Sequence, residues 1–139
     1  MSLRFLLDTN ILSEPTRQNP HPNVMAMLEQ HELEVATSTT VWQELLFGCS
    51  RLPDSQRRRF LERYLNQIVR PTIPILPYDV EAATWHGIER ARLTSIGKTP
   101  SFPDGQIAAV AKVNNLIVVT NNVSDYRNFL DLAVENWFE

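Results

Sequence analysis

Short apolar runs alternate along the chain with stretches in which apolar residues recur at helical spacing. This alternation is typical of an α/β fold, in which helices connect the strands of a largely parallel sheet. The runs at residues 3–7, 33–36, 73–76 and 116–119 have the length of buried strands, and residues 133–137 are a fifth candidate. We therefore predict an α/β fold with a mainly parallel sheet of four to five strands.

Five helices are predicted between these strands, because apolar residues recur there every three or four positions and form one stripe on each helix. The stripes are Val24, Met25, Met27 and Leu28; Val41, Trp42, Leu45, Leu46 and Cys49; Phe60, Leu61, Tyr64, Leu65 and Ile68; Ala82, Trp85, Ile88 and Ala91; and Ile107, Ala108 and Ala111. The fourth helix should end near Gly97 and the fifth should follow Pro103, since glycine is common at helix ends and proline at helix starts.

Length and composition fit one domain over residues 1–139, because 43% of the residues are hydrophobic and no polar linker divides the chain. The apolar run at residues 116–119 is far shorter than the ~20 residues of a membrane span, so no membrane association is expected. The chain starts without the features of a secretory signal and has a lone cysteine, Cys49, to which we assign no chemistry. These features favour the cytoplasm.

The formal net charge is −3, so the molecule as a whole does not attract a polyanion. A nucleic-acid ligand would need local basic residues or metal ions. The basic candidates are Arg57, Arg58, Arg59, Arg63, Arg90, Arg92, Lys98 and Arg17. A solvated helix face explains the arginine run at least as well as a nucleic-acid contact does.

Polar residues follow two of the predicted strands, where ligands collect in open α/β sheets. Asp8 follows the first strand directly and opens the triplet Asp8-Thr9-Asn10, and the fourth strand leads into the polar segment 120–126. Each feature alone has a structural explanation, since aspartate caps helices and asparagine favours turns. Their coincidence at one sheet edge favours a functional site.

Two further acids lie on predicted helices. Asp104 shares a helical face with Ile107 and Ala108, so its carboxylate should point toward the sheet unless it caps its own helix. Glu44 lies nearly opposite the apolar stripe of its helix, which by itself indicates a solvated glutamate.

Convergence of these acids would have an electrostatic consequence. Two unit charges ~4 Å apart repel by about 4 kcal/mol at an effective dielectric constant of 20, so a carboxylate cluster requires bound cations or raised pKa values. Oxygen ligands without clustered histidine or cysteine favour Mg²⁺ or Mn²⁺ over zinc. His21, His31 and His86 show no paired ligand spacing and are expected to be structural or exposed.

Four blocks of the sequence together resemble the PIN-domain family, and within it the VapC-type toxins of bacterial toxin–antitoxin modules. The blocks are residues 6–12, residues 41–45 around Glu44, residues 103–109 around Asp104, and residues 119–126. The resemblance implies a three-layer α/β/α fold. It also implies that Asp8, Glu44 and Asp104 are the catalytic, metal-binding acids, supported by Asn10, Thr120, Asn122 and Asp125.

One position departs from the family pattern. Some relatives have an acid where this chain has Asn122, and the change would weaken a second metal site. Asp125 is either the substitute or a residue that shapes the loop.

The resemblance further implies a metal-dependent endoribonuclease, the toxin of a toxin–antitoxin system, which cleaves tRNA or another structured RNA through water activated by Mg²⁺ or Mn²⁺. The implied partners are the RNA substrate, a VapB-type antitoxin that blocks the acidic crevice, and a second copy of the chain in a homodimer.

Two other classes of function compete with this hypothesis. A catalytically weak PIN-fold protein could act as a partner-binding or nucleic-acid-binding module, since a fold does not prove an activity. A phosphorylated signalling receiver would carry paired acids after its first strand, whereas Asp8 is followed by Thr9 and Asn10. Serine-hydrolase and P-loop motifs are absent from the sequence. Within the nuclease class, single-stranded DNA stays open as a substrate.

Overall fold

The computed structural model of the chain describes residues 2–139 and contains one five-stranded sheet with the order β3-β2-β1-β4-β5. All four strand pairings are parallel. The strands are β1 (Phe5–Leu7), β2 (Val35–Ser38), β3 (Ile75–Leu76), β4 (Ile117–Val119) and β5 (Val134–Glu135). The predicted α/β fold with a mainly parallel sheet is confirmed, including the fifth strand.

Within residues 2–139, seven α-helices flank this sheet: α1 (Thr9–Ser13), α2 (Pro22–Gln30), α3 (Thr39–Ser50), α4 (Gln56–Arg63), α5 (Arg70–Thr72), α6 (Val80–Ser95) and α7 (Phe102–Val113). A π-helical turn over Tyr64–Val69 joins α4 to α5, and 3₁₀ turns cover Glu14–Thr16 and Val123–Asp125. Each of the five predicted helices is present. The additional helices α1 and α5 have five and three residues, too few to show a helical period in the sequence.

The central strand β1 forms the middle of the core. Its three residues are fully buried, as expected for a parallel strand that helices cover on both faces. β2 starts two residues later than predicted, at Val35, and Leu33 is 65% exposed. None of the helices within residues 2–139 has both the length and the apolar character to cross a membrane.

The predicted apolar stripe of α6 was wrong beyond its first turn. Ile88 is 70% exposed, and Ala91 is exposed as well. The buried face instead continues through His86, Glu89 and Leu93. Hydrophobicity alone could not predict this face, because two of its three residues are polar.

Glu89 can be buried because its carboxylate is fully hydrogen-bonded. Arg92 donates to both of its oxygens at 2.7 and 2.8 Å, and the backbone N–H of Leu130 donates to Oε2 at 2.7 Å. These contacts lower the pKa of Glu89, chiefly through the bond from Arg92. The bond from Leu130 thus connects α6 to the C-terminal segment, and the ion pair within α6 satisfies the rest of the carboxylate.

The stripe predicted for residues 60–68 was also partly wrong, since Phe60 and Ile68 are 42% and 56% exposed. The π-helical turn changes the angular step between residues, so the buried positions become Leu65 and Val69. Both pack against Cys49 in a small second cluster, which agrees with a packing role for that cysteine.

α6 and α7 approach closely at Gly105. His86 is buried, and the pKa of its imidazole is lowered chiefly by burial. Tyr78 Oη lies 2.7 Å from His86 Nδ1, and His86 Nε2 faces the backbone of Gly105 without a hydrogen-bond partner among the described residues. The expectation of a structural His86 thus agrees with this packing.

Gly105→Ala should destabilise the protein by about 1–3 kcal/mol, the usual range for overpacking. A Cβ at residue 105 would lie 2.1 Å from His86 Nε2, so the ring must move. The measurement is the free energy of unfolding in urea. Gly87→Ala is the matched control, since a Cβ there meets nothing within 4 Å and alanine should stabilise α6 by about 1 kcal/mol. Equal effects in the two variants would contradict this account of the helix contact.

Candidate active site

Asp8 lies where β1 ends and α1 begins, and it is 7% exposed. It is the N-cap of α1, because its Oδ1 accepts a hydrogen bond from the backbone N–H of Thr9 at 2.8 Å. Its other oxygen, Oδ2, accepts a hydrogen bond from the hydroxyl of Thr120 at 2.8 Å. The capping role and a place in the site therefore belong to the same carboxylate.

The ends of β1 and β4 are joined by a network of polar side chains around Thr120, which is fully buried. Asn10 Nδ2 lies 3.4 Å from Asp8 Oδ2 and 3.3 Å from Thr120 Oγ1, and Asn10 Oδ1 accepts from the backbone N–H of Asn121 at 2.9 Å. Asn10 and Thr120 thus lie against Asp8, at the sheet edge where the sequence predicts them.

Glu44, on α3, is half-buried and not the solvated residue that its helical position alone indicates. The hydroxyl of Thr9 donates to Glu44 Oε1 at 3.0 Å. Burial raises the pKa of Glu44, and the charges of Asp8 and Asp104 raise it further. Because the N–H of Thr9 binds Asp8 while its hydroxyl binds Glu44, this one residue links the two acids.

Asp104 lies in the first turn of α7 but is not its cap. The hydroxyl of Ser101 caps this helix by accepting from the backbone N–H of Asp104 at 3.3 Å. The Asp104 carboxylate instead faces Tyr126, whose hydroxyl lies 3.4 Å from Asp104 Oδ1 and 3.3 Å from Asp8 Oδ2. A phenol carries one proton, so it can donate to only one of the two carboxylates at a time.

The two remaining predicted residues lie at the rim. Asn122 is exposed, and the contact it makes with the network is from its backbone N–H to Thr120 Oγ1 at 3.0 Å. Asp125 is exposed and lines a groove together with Asp104. Its charge contributes to a raised pKa at Asp104, after the larger effect of burial.

These acids have no cationic partner in the part of the chain that the structure describes. Six ion pairs are formed within residues 2–139, and none of them involves Asp8, Glu44, Asp104 or Asp125. Burial and the neighbouring acids also raise the pKa of the Tyr126 hydroxyl far above its usual range, so this phenol stays protonated. The cluster therefore has a local negative charge that the described part of the chain does not neutralise.

The donor set of this cluster fits a hard divalent cation. Among residues 2–139, no three Asp, Glu, His or Cys side chains are already grouped as a metal site. Mg²⁺, however, is usually bound through one or two carboxylates and otherwise keeps water or phosphate oxygens. Asp8 and Asp104, which contact the same hydroxyl, meet that requirement, with Glu44 as a third nearby oxygen donor.

Two grooves of different character flank the acids. The groove beside Glu44 has a largely apolar lining, formed by Thr9, Ser13, Thr16, Glu44, Leu45, Gly48, Cys49, Arg57, Leu61, Tyr64 and Leu65. The groove beside Asp104 is more polar and is lined by Leu93, Lys98, Thr99, Pro100, Ser101, Asp104, Ser124, Asp125, Asn128 and Phe129.

Several of the basic candidates already have hydrogen-bond or ion-pair partners within the protein, although Arg57 also lines the groove beside Glu44. Arg57 donates to the backbone carbonyl of Thr16 at 2.7 Å, and Arg59 pairs with Asp54 at the same distance. Arg58, Arg92 and Arg17 pair with nearby glutamates, and Arg90 donates to the carbonyl of Pro100. Lys98 lies in the groove beside Asp104.

Sequence reasoning missed Thr9 and Tyr126 as members of the site. Thr9 follows Asp8 directly, so its position was a usable signal. Tyr126 ends the polar segment 120–126 that the sequence places at this sheet edge, but no pattern indicated that its hydroxyl would contact both Asp8 and Asp104.

Comparison with known proteins gives a consistent result. The family model described as PIN domain matches residues 5–128. The chain is 35% identical to Toxin FitB of Neisseria gonorrhoeae over 95% of this chain and 96% of that protein. It is 29% identical to the tRNA(fMet)-specific endonuclease VapC of Shigella flexneri over 97% and 98%. Among solved structures, FitAB bound to an IR36 DNA fragment superposes with a TM-score of 0.89 at 32% identity, covering 97% of this chain and 96% of that one.

Replacing Asp104 by Asn should make the metal-free protein more stable than wild type, and increasingly so as pH rises. The raised pKa of Asp104 means that the folded state holds this proton more tightly than the unfolded chain does. As the pH rises above about 3.8, the ordinary pKa of the group, the wild-type protein therefore loses stability. The Asp104→Asn variant has no such loss. The gain should be on the order of 1 kcal/mol, or about 2–4 °C in Tm.

The measurement is Tm with chelator between about pH 3.5 and 8, the range that brackets the ordinary aspartate pKa. Asp54→Asn, whose carboxylate is exposed and pairs with Arg59, is the control and should show no such increase. A stability difference that shrinks with rising pH would contradict convergence of the acids.

Tyr126→Phe should destabilise the metal-free protein by roughly 1.5–3 kcal/mol, because the lost hydroxyl donates to a charged acceptor. Tyr64→Phe is the matched control, since its half-buried hydroxyl donates to the neutral carbonyl of Leu12 at 2.6 Å and should contribute only about 0.5–1.5 kcal/mol. Urea unfolding of both variants measures the difference. An equal or smaller loss in Tyr126→Phe would show that the Tyr126 hydroxyl does not stabilise the acid pair.

Proposed function

The chain belongs to the PIN domain family, and we propose that it is a metal-dependent endoribonuclease that acts as the toxin of a toxin–antitoxin pair. One observation supports this metal-dependent chemistry more strongly than any other. Asp8 and Asp104 are held against the same buried hydroxyl, and no cation of the described chain neutralises either of them. An unneutralised carboxylate pair at the carboxyl ends of parallel strands suits a divalent cation and a phosphate ligand.

In this proposal Asp8 and Asp104 hold Mg²⁺ or Mn²⁺, with Glu44 beside them. The bound cation would lower the pKa of a water molecule and stabilise negative charge on the phosphodiester. Asn122 offers no carboxylate for a second cation, and Asp125 lines the same groove as Asp104 and is the acid available for that purpose.

The protein residues have separate tasks in this mechanism. The N–H of Thr9 and the hydroxyl of Thr120 orient the Asp8 carboxylate by fixing one oxygen each. Glu44 uses Oε1 to accept from Thr9, which leaves Oε2 to take a proton from water. Its raised pKa brings it closer to neutral pH, as a general base requires.

RNA as the substrate is supported by the relative named as a tRNA-specific endonuclease. Water activated by a metal does not need the 2′-hydroxyl of the substrate as nucleophile, so selection of RNA must come from shape and stacking. We assign tRNA or another structured RNA on this basis.

A small antitoxin is the proposed protein partner, by analogy with the FitAB complex. The apolar groove beside Glu44 suits its binding, because a segment seated there would exclude water and substrate from the acids. Self-association into a homodimer stays a prediction from the family resemblance.

A catalytically weak binding module is the competing function, and one observation favours it. The acids do not form a ready three-residue metal site within residues 2–139, so a bound cation must be completed by water or phosphate. Cleavage and metal binding must therefore be measured separately.

The proposal predicts that the purified chain, free of any antitoxin, cleaves a labelled tRNA pool with Mg²⁺ or Mn²⁺ and is inactive with chelator. Asp8→Asn and Asp104→Asn should each lower the rate at least about a hundredfold, which corresponds to the several kcal/mol that a metal ion contributes to transition-state stabilisation. Asp54→Asn should cleave like wild type, because its carboxylate is exposed and paired with Arg59.

Calorimetric titration with Mn²⁺ separates the remaining outcomes. A folded protein that binds Mn²⁺ but does not cut RNA would favour the binding module. Cleavage by the Asp104→Asn variant at the wild-type rate would show that this acid has no part in the mechanism.

A further inference from the structure

The groove beside Asp104 is lined by side chains of opposite charge. Two acids, Asp104 and Asp125, and one lysine, Lys98, contribute to its lining. The groove has a volume of about 390 Å³, and the hydroxyls of Ser101 and Ser124 and the amide of Asn128 lie along it. The groove therefore combines a proposed metal ligand, Asp104, with a cation, Lys98, and with polar side chains.

Several hydrogen bonds hold the loop that carries Lys98 at the end of α6. Gly97 adopts φ +72°, the left-handed conformation that ends many helices. The backbone N–H of Lys98 donates to the carbonyl of Leu93 at 2.8 Å, and the hydroxyls of Thr94 and Thr99 lie 2.8 Å apart. Arg90 closes the loop by donating to the carbonyl of Pro100 at 2.9 Å. The position of Lys98 at the groove is thus set by the fold.

The ammonium group of Lys98 is available for a ligand. It forms no ion pair or hydrogen bond with the described residues, although two acids line the same groove. The other lysine of the chain, Lys112, lies in the last turn of α7, the helix whose first turn contains Asp104. Its Nζ donates to the carbonyl of Asp131 at 2.8 Å. Lys112 therefore has the same ammonium group as Lys98 but already has a hydrogen-bond partner, which makes it a suitable control.

We infer that this groove binds the RNA strand next to the scissile phosphate, with Lys98 Nζ contacting the neighbouring phosphate. The inference rests on the proposed nuclease function. A strand of alternating phosphates and sugars needs a cation where the protein is otherwise acidic, and it needs polar groups between the phosphates. Lys98 is a binding residue in this arrangement and has no part in the chemical step.

Equilibrium binding of a labelled single-stranded RNA, measured by fluorescence anisotropy with chelator over a salt series, tests the contact directly. Lys98→Gln should raise the Kd about five- to tenfold and reduce the slope of log K against log salt by about 0.7, the value of one phosphate contact on a single strand. Lys98→Arg should restore most of the affinity. Lys112→Gln, the matched control, should match wild type in both quantities.

Cleavage kinetics provide a second readout. Lys98→Gln should raise KM with little change in kcat, because it removes binding that is equal in the ground state and the transition state. With only two lysines present, an amine-reactive reagent followed by mass spectrometry should show that RNA protects Lys98 and leaves Lys112 unchanged.

The outcomes separate the two proposals. If wild type cleaves RNA while Lys98→Gln and Lys112→Gln behave alike, the groove assignment is overturned and the nuclease function stands. If wild type neither binds nor cleaves RNA, both fail together. A lower kcat at unchanged KM would also overturn the assignment, since it would place Lys98 in the chemical step.

Discussion

The buried carboxylate of Asp8 is the constraint on which the rest of the site depends. A carboxylate that is 7% exposed must have each oxygen hydrogen-bonded, since an unsatisfied buried charge is costly. The backbone N–H of Thr9 satisfies Oδ1 and the hydroxyl of Thr120 satisfies Oδ2. These two donors come from the ends of β1 and β4, which pair in parallel, so the register of the sheet and the orientation of the acid are set together.

Stability and function compete at Asp104. Asp104 is brought against the hydroxyl that Asp8 also contacts, and its raised pKa indicates that the metal-free fold is destabilised by its ionisation. A cation would remove this repulsion, so metal binding and the stability of the fold are linked at this edge of the sheet. Proteins tolerate such a destabilising arrangement where it serves a ligand.

The sequence predicts the strands and the position of Asp8 at the end of β1 because both depend on local patterns, while the catalytic role of Asp8 stays a prediction. The run before Asp8 is wholly apolar and fully buried, and a polar residue after such a strand has few alternative positions. The face of α6 could not be predicted, since His86 and Glu89 are buried through partners distant in the chain, such as the N–H of Leu130. Glu44 was misjudged for the same reason, because its contact with Thr9 joins two helices 35 residues apart.

The two grooves beside the acids indicate a division of tasks. The groove beside Glu44 is mainly apolar, as suits a protein segment that must exclude water, whereas the groove beside Asp104 offers hydroxyls, an amide and Lys98. A net charge of −3 makes this placement important, because attraction of a polyanion cannot come from the whole molecule. It must come from a cation at the acids and from a basic residue fixed within reach of them. Lys98, in the loop after Gly97, is that residue in the groove beside Asp104, whereas a partner seated in the apolar groove would contact Glu44 and not Lys98.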